Sequence, residues 1–484
     1  MLFSSYGFIF LFAPIAIYAY LMIGNFTGGG VAANFCLLIA SLVFYAFQSV
    51  QCLPILIASI AVNYAAGVYI INLRAAGREK LSRSVMILGL VFNVLLLGVF
   101  KYADFIIETI NQFGAALPLL HVILPPGISF FTITEMIYLV DAYQGVTKDK
   151  NLVNYSVFVS FFPHILAGPI LWHKPIVRQL NDPETHRVNW ENIARGLTLF
   201  ILGMSKKVLI ADQLSHYVGD CFSLPESLTV IDGLAAALFY TVQLYFDFSG
   251  YSDMAVGLGW MMNIDLPVNF NSPYKAYGMI DYWNRWHMSL THAITNYIYT
   301  PILMLFKEIT FGKAMFATFA AMVIAGVWHG AGWTFVIFGA LHGLGLVLNH
   351  VWKKYKLWMP RPLGYVLMWG LILTANVFFR AESVSDAVKV LYAITGGNGL
   401  MWPQKIADLF MRLGVALPVW TASIPNKKLL LVAVGLIFFA PNAVALVKSK
   451  FTKPNVYWLA YAVFLFMMAF SELREPAEFV YFRF

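Results

Sequence analysis

Charged side chains are scarce in this sequence, and none occurs before Arg74. Asp, Glu, Lys and Arg together make up 12% of the 484 residues, whereas 60% are hydrophobic. A soluble domain usually contains roughly 25% charged residues. This scarcity excludes an ordinary soluble protein, and the uncharged first part of the chain has room for about three spans of ~20 residues each. The sequence therefore predicts a multi-pass membrane protein.

Cysteine is also scarce, and a basic amino-terminal segment is absent. The cysteines are Cys36, Cys52 and Cys221, and their spacing is typical neither of metal ligands nor of a disulfide framework, so we expect no metal site. Because the first residues resemble no signal peptide, we expect the first span to be retained. The net charge of +8 lies largely in connecting loops, which indicates membrane orientation rather than nucleic acid binding.

Uncharged stretches mark the candidate spans, which are 6–24, 32–49, 52–72, 85–100, 118–134, 152–172, 233–246, 293–306, 314–328, 333–351, 363–379, 413–424, 429–447 and 455–471. Since some must be re-entrant or too short, we predict about eleven to thirteen crossings. The positive-inside rule places the basic loops in the cytoplasm, namely 74–83, 174–195, 353–361 and 448–453. The amino terminus then lies on the opposite side. No internal repeat divides the chain, so 1–484 is predicted to be one all-α membrane domain.

The segment 247–292 does not resemble simple spans, because it combines Pro, Gly, Asn and Asp with several aromatic residues. Irregular backbone is tolerated at membrane depth where it is buried in protein or lines a cavity, so the segment is a candidate cavity wall. The alternative is an interfacial loop in which Tyr282, Trp283 and Trp286 form an aromatic belt and Arg285 reaches toward the headgroups.

Two histidines are the first candidates for chemistry. His329 stands between the uncharged runs 314–328 and 331–351, and an intramembrane ionisable residue is a functional candidate by default. The alternative is a neutral histidine that packs against a neighbouring helix. His287 lies in a polar, aromatic and basic segment suited to a membrane surface, and glycines 326, 330 and 332 leave room for a substrate or another backbone to approach His329. The other histidines are expected to have packing or loop roles, namely His121, His164, His173, His186, His216, His292, His342 and His350.

The motif Tyr282-Trp-Asn-Arg-Trp-His287-Met-Ser-Leu290, followed by Trp328-His329-Gly330, resembles the histidine pair of the membrane-bound O-acyltransferase (MBOAT) family. Further motifs extend the resemblance to the bacterial, alginate O-acetyltransferase-like branch, which serves alginate, peptidoglycan, cellulose and lipoteichoic acid. They are Met1-Leu-Phe-Ser-Ser, Lys101-Tyr-Ala, Leu124-Pro-Pro-Gly-Ile-Ser-Phe130, Phe161-Phe-Pro-His-Ile-Leu-Ala-Gly-Pro169, Lys206-Lys-Val-Leu-Ile-Ala-Asp212, the segment 243–259, Val377-Phe-Phe-Arg-Ala381 and Tyr481-Phe-Arg-Phe484.

The resemblance implies a helical bundle with re-entrant segments around a central tunnel in a bacterial inner membrane. An acyl group, usually acetyl from cytoplasmic acetyl-CoA, would reach an extracytoplasmic polysaccharide or partner protein, with an SGNH-type acetyltransferase as the expected partner. No bound cofactor is expected, and membrane lipid surrounds the protein. His329 is then the expected general base, since neutral imidazole accepts a proton near pH 7. His287 would position the donor or stabilise developing charge, with Asn284, Arg285, Trp286 and Trp328 contacting donor or substrate.

The sequence departs from the alginate-like pattern after His287. Relatives usually continue with an Arg-Asp pair and a Gly-Gly-Asn-Arg turn, whereas this chain has Thr295-Asn296 and then Tyr297-Ile-Tyr-Thr-Pro301. This difference bears on the identity of the donor or acceptor more than on the type of reaction. Two other functions stay open from the residues alone. One is a secondary transporter, although no inverted repeat is found, and the other is a non-catalytic scaffold that recruits a soluble acyltransferase.

Overall fold

The computed structural model describes residues 1–28, 30–413, 415, 417–420, 424–450, 455–473 and 480. The closing motif 481–484 and part of the predicted span 413–424 lie outside these residues. The regular elements of the described chain are helices apart from two short parallel strands, β1 (Trp402–Pro403) and β2 (Val419–Trp420), which agrees with the predicted all-α membrane fold.

The α-helices in the first half of the chain are α1 (Ala13–Thr27), α2 (Gly30–Gln48), α3 (Leu53–Ala75), α4 (Glu79–Leu97), α5 (Ala103–Asn111), α6 (Ile128–Gln144), α7 (Leu152–Ser160), α8 (His173–Leu180), α9 (Trp190–Ser205), α10 (Asp212–Ser223) and α11 (Val230–Met261). Those in the second half are α12 (Met279–Trp283), α13 (Met288–Ile294), α14 (Thr300–Met304), α15 (Phe311–His329), α16 (Trp333–Lys354), α17 (Arg361–Arg380), α18 (Val384–Ile394), α19 (Gln404–Arg412), α20 (Lys427–Phe439), α21 (Ala443–Lys450) and α22 (Val456–Ser471). The π-helical turns are Phe8–Phe12, Gly98–Tyr102, Lys206–Ala211 and Thr295–Tyr299.

Among the described residues, seven helices are long and apolar enough to cross a membrane, or eight if α20 and α21, which meet at a bend of 57°, form one span. This is fewer than the eleven to thirteen crossings predicted. Three predicted spans differ from the observed helices: 118–134 is irregular before Ile128, 152–172 leaves the helix after Ser160, and 293–306 is helical only to Met304, in the run formed by α13, the π-helical turn Thr295–Tyr299 and α14. Uncharged composition alone does not separate such segments from spans.

The helix α11 corrects the prediction for the first part of 247–292. It is 32 residues long and continues through the Gly- and Ser-containing stretch to Met261. Glycine permits close packing there, since a Cβ on Gly203 of α9 would lie 2.5 Å from the carbonyl oxygen of Gly250. Small residues at helix contacts are typical of membrane bundles. The glycines that suggested a broken chain therefore allow two helices to approach each other.

The basic loops 74–83, 174–195 and 353–361 lie on one side of the bundle. Asn34, near the start of α2, donates a hydrogen bond to the carbonyl of Leu180, which brings loop 174–195 to the end of the bundle where α3 also finishes. Lys101 lies far along the continuous helix Glu79–Asn111 and contacts the last residues of α15. Because α16 runs back from there, it ends on the side of Glu79. Their cytoplasmic location remains a prediction.

Candidate active site

His329 is the last residue of α15 and is 5% exposed. A Cβ on Gly330 would lie 2.2 Å from the ring of Phe335. Glycine is therefore needed here so that Phe335 can pack against the turn between α15 and α16. This space was expected to admit a substrate or another backbone, and at Gly330 a side chain of the protein fills it instead. Another backbone does approach at Gly326, where a Cβ would lie 2.4 Å from the carbonyl oxygen of Phe335.

His287 is fully buried and lies just before α13 in an irregular loop. The loop folds back on itself: the Met288 amide donates to the Asn269 carbonyl at 2.9 Å, and the Ser289 hydroxyl donates to the Asn269 side chain at 2.6 Å. These bonds fix the backbone around His287. The prediction of a surface-type segment is wrong, because Asn269 and Ser289 are also buried.

The backbone of His287 is strained, with φ at 43° in the left-handed region that non-glycine residues rarely adopt. Both ring nitrogens lack a hydrogen-bond partner among the described residues. Leaving a buried polar group unpaired costs about 1–3 kcal/mol, and strain of this kind clusters at functional sites. Both features favour a ring that is held ready for a ligand over one that only fills space.

The fold brings the two predicted histidines together. Their ring centroids are 6.4 Å apart, and the Trp328 ring lies 6.3 Å from His287 and 5.0 Å from His329. The rest of the wall is aromatic: Phe248 lies 4.7 Å from His287, and Phe379 lies 5.5 Å from His329. Such walls exclude water, which makes the imidazole nitrogens the polar atoms suited to accept or donate a proton.

A cavity of about 240 Å³ opens beside His329 and Trp328 on the side of the bundle away from the basic loops. The start of α6 forms much of the opposite wall, including Ser129, and Lys101 contributes its side chain. No role was predicted for Lys101 beyond its place in the Lys101-Tyr-Ala motif, although a cation directly after the uncharged run 85–100 was the available signal. This cavity is the natural place for a small group that reacts at His329.

The predicted donor-binding residues are divided between two locations. Trp328 joins the histidine pair, whereas Asn284 lines a second cavity of about 290 Å³ together with Thr291 and His350. This cavity lies on the side of the basic loops, because His350 is near the end of α16. Arg285 is partly exposed and forms an ion pair with Asp281 at 2.7 Å.

Trp286 is buried in an aromatic cluster, where it stacks on Tyr282 at 5.6 Å and meets Phe270 edge to face at 5.0 Å between ring centroids. Trp283 and Tyr282 are buried as well. The interfacial-belt interpretation of these residues is therefore wrong, because their rings contact protein. The alternative interpretation, a wall inside the protein, agrees with the structure.

A row of rings connects the two cavities. Trp283 lines the second cavity and donates from its indole nitrogen to His342 at 3.3 Å. His342 lies 4.6 Å from Phe338, which in turn lies 5.8 Å from His329. A tunnel between the two faces, as predicted from the family resemblance, would pass along these rings.

Three other buried histidines contact polar groups of the protein, and their expected packing roles stay a prediction. The His164 ring contacts the carbonyl of Phe158 at 3.0 Å, the His173 ring contacts the Thr147 hydroxyl at 2.7 Å, and the His186 ring contacts the Leu180 carbonyl at 3.1 Å. Within the described residues, no group of three or more His, Cys, Asp or Glu side chains is placed to hold a metal ion.

A buried imidazole at the end of an apolar helix and beside a cavity, with a second buried imidazole 6.4 Å away between ring centroids, is suited to proton transfer during group transfer. The model of MBOAT, the membrane-bound O-acyltransferase family, matches residues 85–379. The chain belongs to this family and is an acyltransferase. The match contains both histidines.

The relatives agree with this assignment. The chain is 38% identical to the peptidoglycan O-acetyltransferase of Helicobacter pylori, over 83% of this chain and 81% of that protein. It is 39% identical to the probable alginate O-acetylase AlgI of Pseudomonas aeruginosa, over 81% of this chain and 75% of that protein. It is 29% identical to the teichoic acid D-alanyltransferase of Bacillus subtilis, over 52% of this chain and 65% of that protein.

Proposed function

We propose that this acyltransferase takes an acetyl group from cytoplasmic acetyl-CoA and delivers it for O-acetylation of an extracytoplasmic polysaccharide in a bacterial inner membrane. One observation carries the proposal: His329 lines a cavity on the side opposite the basic loops, and a row of rings leads from it to Trp283, which lines a cavity on the side of those loops. A donor and an acceptor arriving from different sides would meet at such a site. The names of the relatives support acetyl transfer to a polymer.

In the proposed reaction, the oxygen of an acceptor hydroxyl attacks the thioester carbonyl carbon. The new C–O bond forms, the C–S bond breaks, and the hydroxyl proton passes to His329 and then to the departing thiolate. A positioned base contributes roughly 10²–10⁴-fold to such a step. His287, 6.4 Å away between ring centroids, would orient the thioester or stabilise the charge on its oxygen.

The acceptor hydroxyl belongs either to the polysaccharide or to an SGNH-type partner that passes the acetyl group on. The second cavity, with Asn284 in its wall, is the proposed entry for the donor, and Arg285 beside it is the proposed contact for donor phosphate. The departure at Thr295 falls in the wall of the same cavity. The difference from alginate-like relatives is therefore expected to alter donor contacts.

The test uses membrane vesicles and acetyl-CoA labelled in its acetyl group. Inverted vesicles expose the cytoplasmic face, so they should transfer label to polymer in their lumen, and vesicles carrying His329→Gln should not. Right-side-out vesicles given the same external donor should transfer little. Equal transfer in both orientations would contradict the proposed direction, and no transfer from acetyl-CoA in either would contradict the proposed donor.

A further inference from the structure

The end of α15, which carries His329, is held by side chains from the neighbouring π-helical turn Gly98–Tyr102. The Lys101 ammonium donates to the carbonyl oxygens of Trp328 at 2.8 Å and His329 at 3.1 Å. The Tyr102 hydroxyl donates to the carbonyl of Val327 at 2.8 Å. Three consecutive carbonyls at the end of the helix therefore have donors from a different element.

These carbonyls need such donors. The last carbonyls of a helix have no partner within the helix, and membrane hydrocarbon supplies no water to replace one. A helix carboxyl end also carries partial negative charge, which favours a nearby cation. The π-helical turn at 98–102 matters here, because π-turns inside helices are frequent at functional sites and change the direction of adjacent side chains. In this chain, two consecutive residues reach the same helix end.

The contacts of Lys101 also restrict what it does. Its third partner is the Ser129 hydroxyl, at 3.0 Å. A lysine ammonium has three hydrogen atoms to donate, and these three oxygens use all of them. Although Lys101 lines the same cavity as His329, it has no donor left for a substrate. The start of α6 is joined to the same point, since the Trp328 indole donates to the Ser129 carbonyl at 3.1 Å.

We infer that Lys101 is a positioning residue that sets the place of the His329 imidazole in the cavity, with Tyr102 as its second support. This inference rests on the proposed function, in which His329 is the base. A base that is displaced by about 1 Å loses on the order of 10²-fold in rate. Lys101→Met keeps most of the side-chain volume and removes all three hydrogen bonds, so kcat should fall by about 10²-fold while KM for acetyl-CoA stays unchanged.

A second measurement follows the position of residue 329 directly and needs no donor. In a background without Cys36, Cys52 and Cys221, His329→Cys supplies a single thiol in the cavity. Adding Lys101→Met should change the rate at which a small maleimide modifies this thiol. Lys80→Met is the matched control, because Lys80 lies at the exposed start of α4, and it should change neither kcat nor the modification rate.

Tyr102→Phe is the second variant, and it allows the inference to be tested if Lys101→Met does not fold. This variant removes one hydrogen bond and no charge, so kcat should fall by less than in Lys101→Met and the modification rate at residue 329 should shift in the same direction. Wild-type kcat in Lys101→Met, or a lowered kcat with an unchanged modification rate, would overturn the inference. If Lys101→Met is unfolded, an unchanged rate in Tyr102→Phe would overturn it too. Failure of acetyl-CoA as donor would affect the proposed function alone, since the maleimide measurement is independent of it.

Discussion

Two buried polar regions of this protein differ in how completely their groups are paired. Between α9 and α11, Lys207 contacts both Asp212 and Asp247 at 2.7 Å, and Lys206 contacts Asp253 at 2.5 Å. At the histidine pair, by contrast, both ring nitrogens of His287 lack a partner among the described residues. The first region has the pairing that buried charges require, whereas the second keeps polar atoms available beside a cavity.

These two regions show how buried polar residues that stabilise a membrane protein differ from those that serve its function. Ionisable residues at membrane depth are costly in either case. Where opposite charges satisfy one another, as at Lys207, the side chains hold helices together and have little capacity left for a substrate. Where a ring is buried and strained and has no hydrogen-bond partner in the described part of the chain, as at His287, its nitrogens stay available for a ligand. Substitutions in the first region should therefore lower the melting temperature, whereas substitutions at the histidine pair should lower acyl-transfer activity.

The largest expected effect is on activity at His329. His329→Ala and His329→Gln should each lower acyl transfer by ~10²–10⁴-fold, because neither side chain serves as a base. Both variants should stay folded in detergent, with melting temperatures close to wild type. Polymer acetylation in cells and thermal unfolding of the purified protein are the two measurements. An active, well-folded Gln variant would contradict the general-base role and leave His329 as a packing residue.

The next effect is on stability at Lys207. Lys207→Met should destabilise the protein by about 3–5 kcal/mol, because it leaves Asp212 and Asp247 buried without their cation. Thermal unfolding in detergent should show this as a large drop in melting temperature. Lys389 offers a matched control, since it pairs with Glu226 and Asp386 on the surface and Lys389→Met should change little. A stable Lys207→Met protein would contradict the structural role of the network.

A third prediction uses the backbone strain at His287. His287→Ala and His287→Gly should both lower acyl transfer strongly, because each removes the imidazole. Glycine adopts the left-handed conformation without the penalty of about 1–2 kcal/mol that a Cβ carries there. The Gly variant should therefore melt at a higher temperature than the Ala variant while being equally inactive. Wild-type activity in either variant would remove His287 from the site.

Part of this architecture was predictable from sequence, because motif identity and charge scarcity are local properties. The histidine pair and the multi-pass helical fold needed only the residues around 287 and 329 and the long uncharged runs. The fate of 247–261 was not predictable, since Gly and Ser break helices in water but allow close helix contacts in a membrane.

The contacts of Lys101 were not predictable either. They depend on two elements far apart in the chain that meet at Trp328 and His329. Sequence patterns describe one helix at a time, and a lysine directly after an uncharged run indicates that a partner exists without identifying it. The single-domain organisation of 1–484 stays a prediction.

The smallest expected effect is at Arg285. Its ion pair with Asp281 joins side chains that are 33% and 40% exposed, and such pairs contribute little to stability because water screens them. Arg285→Ala should therefore melt close to wild type, while KM for acetyl-CoA rises because a cation near the second cavity is lost. Asp281→Ala is the matched variant, since it releases Arg285 from its partner and should leave that KM unchanged or lower it. A fall in kcat alone, with KM unaltered in both variants, would show that Arg285 does not contact the donor.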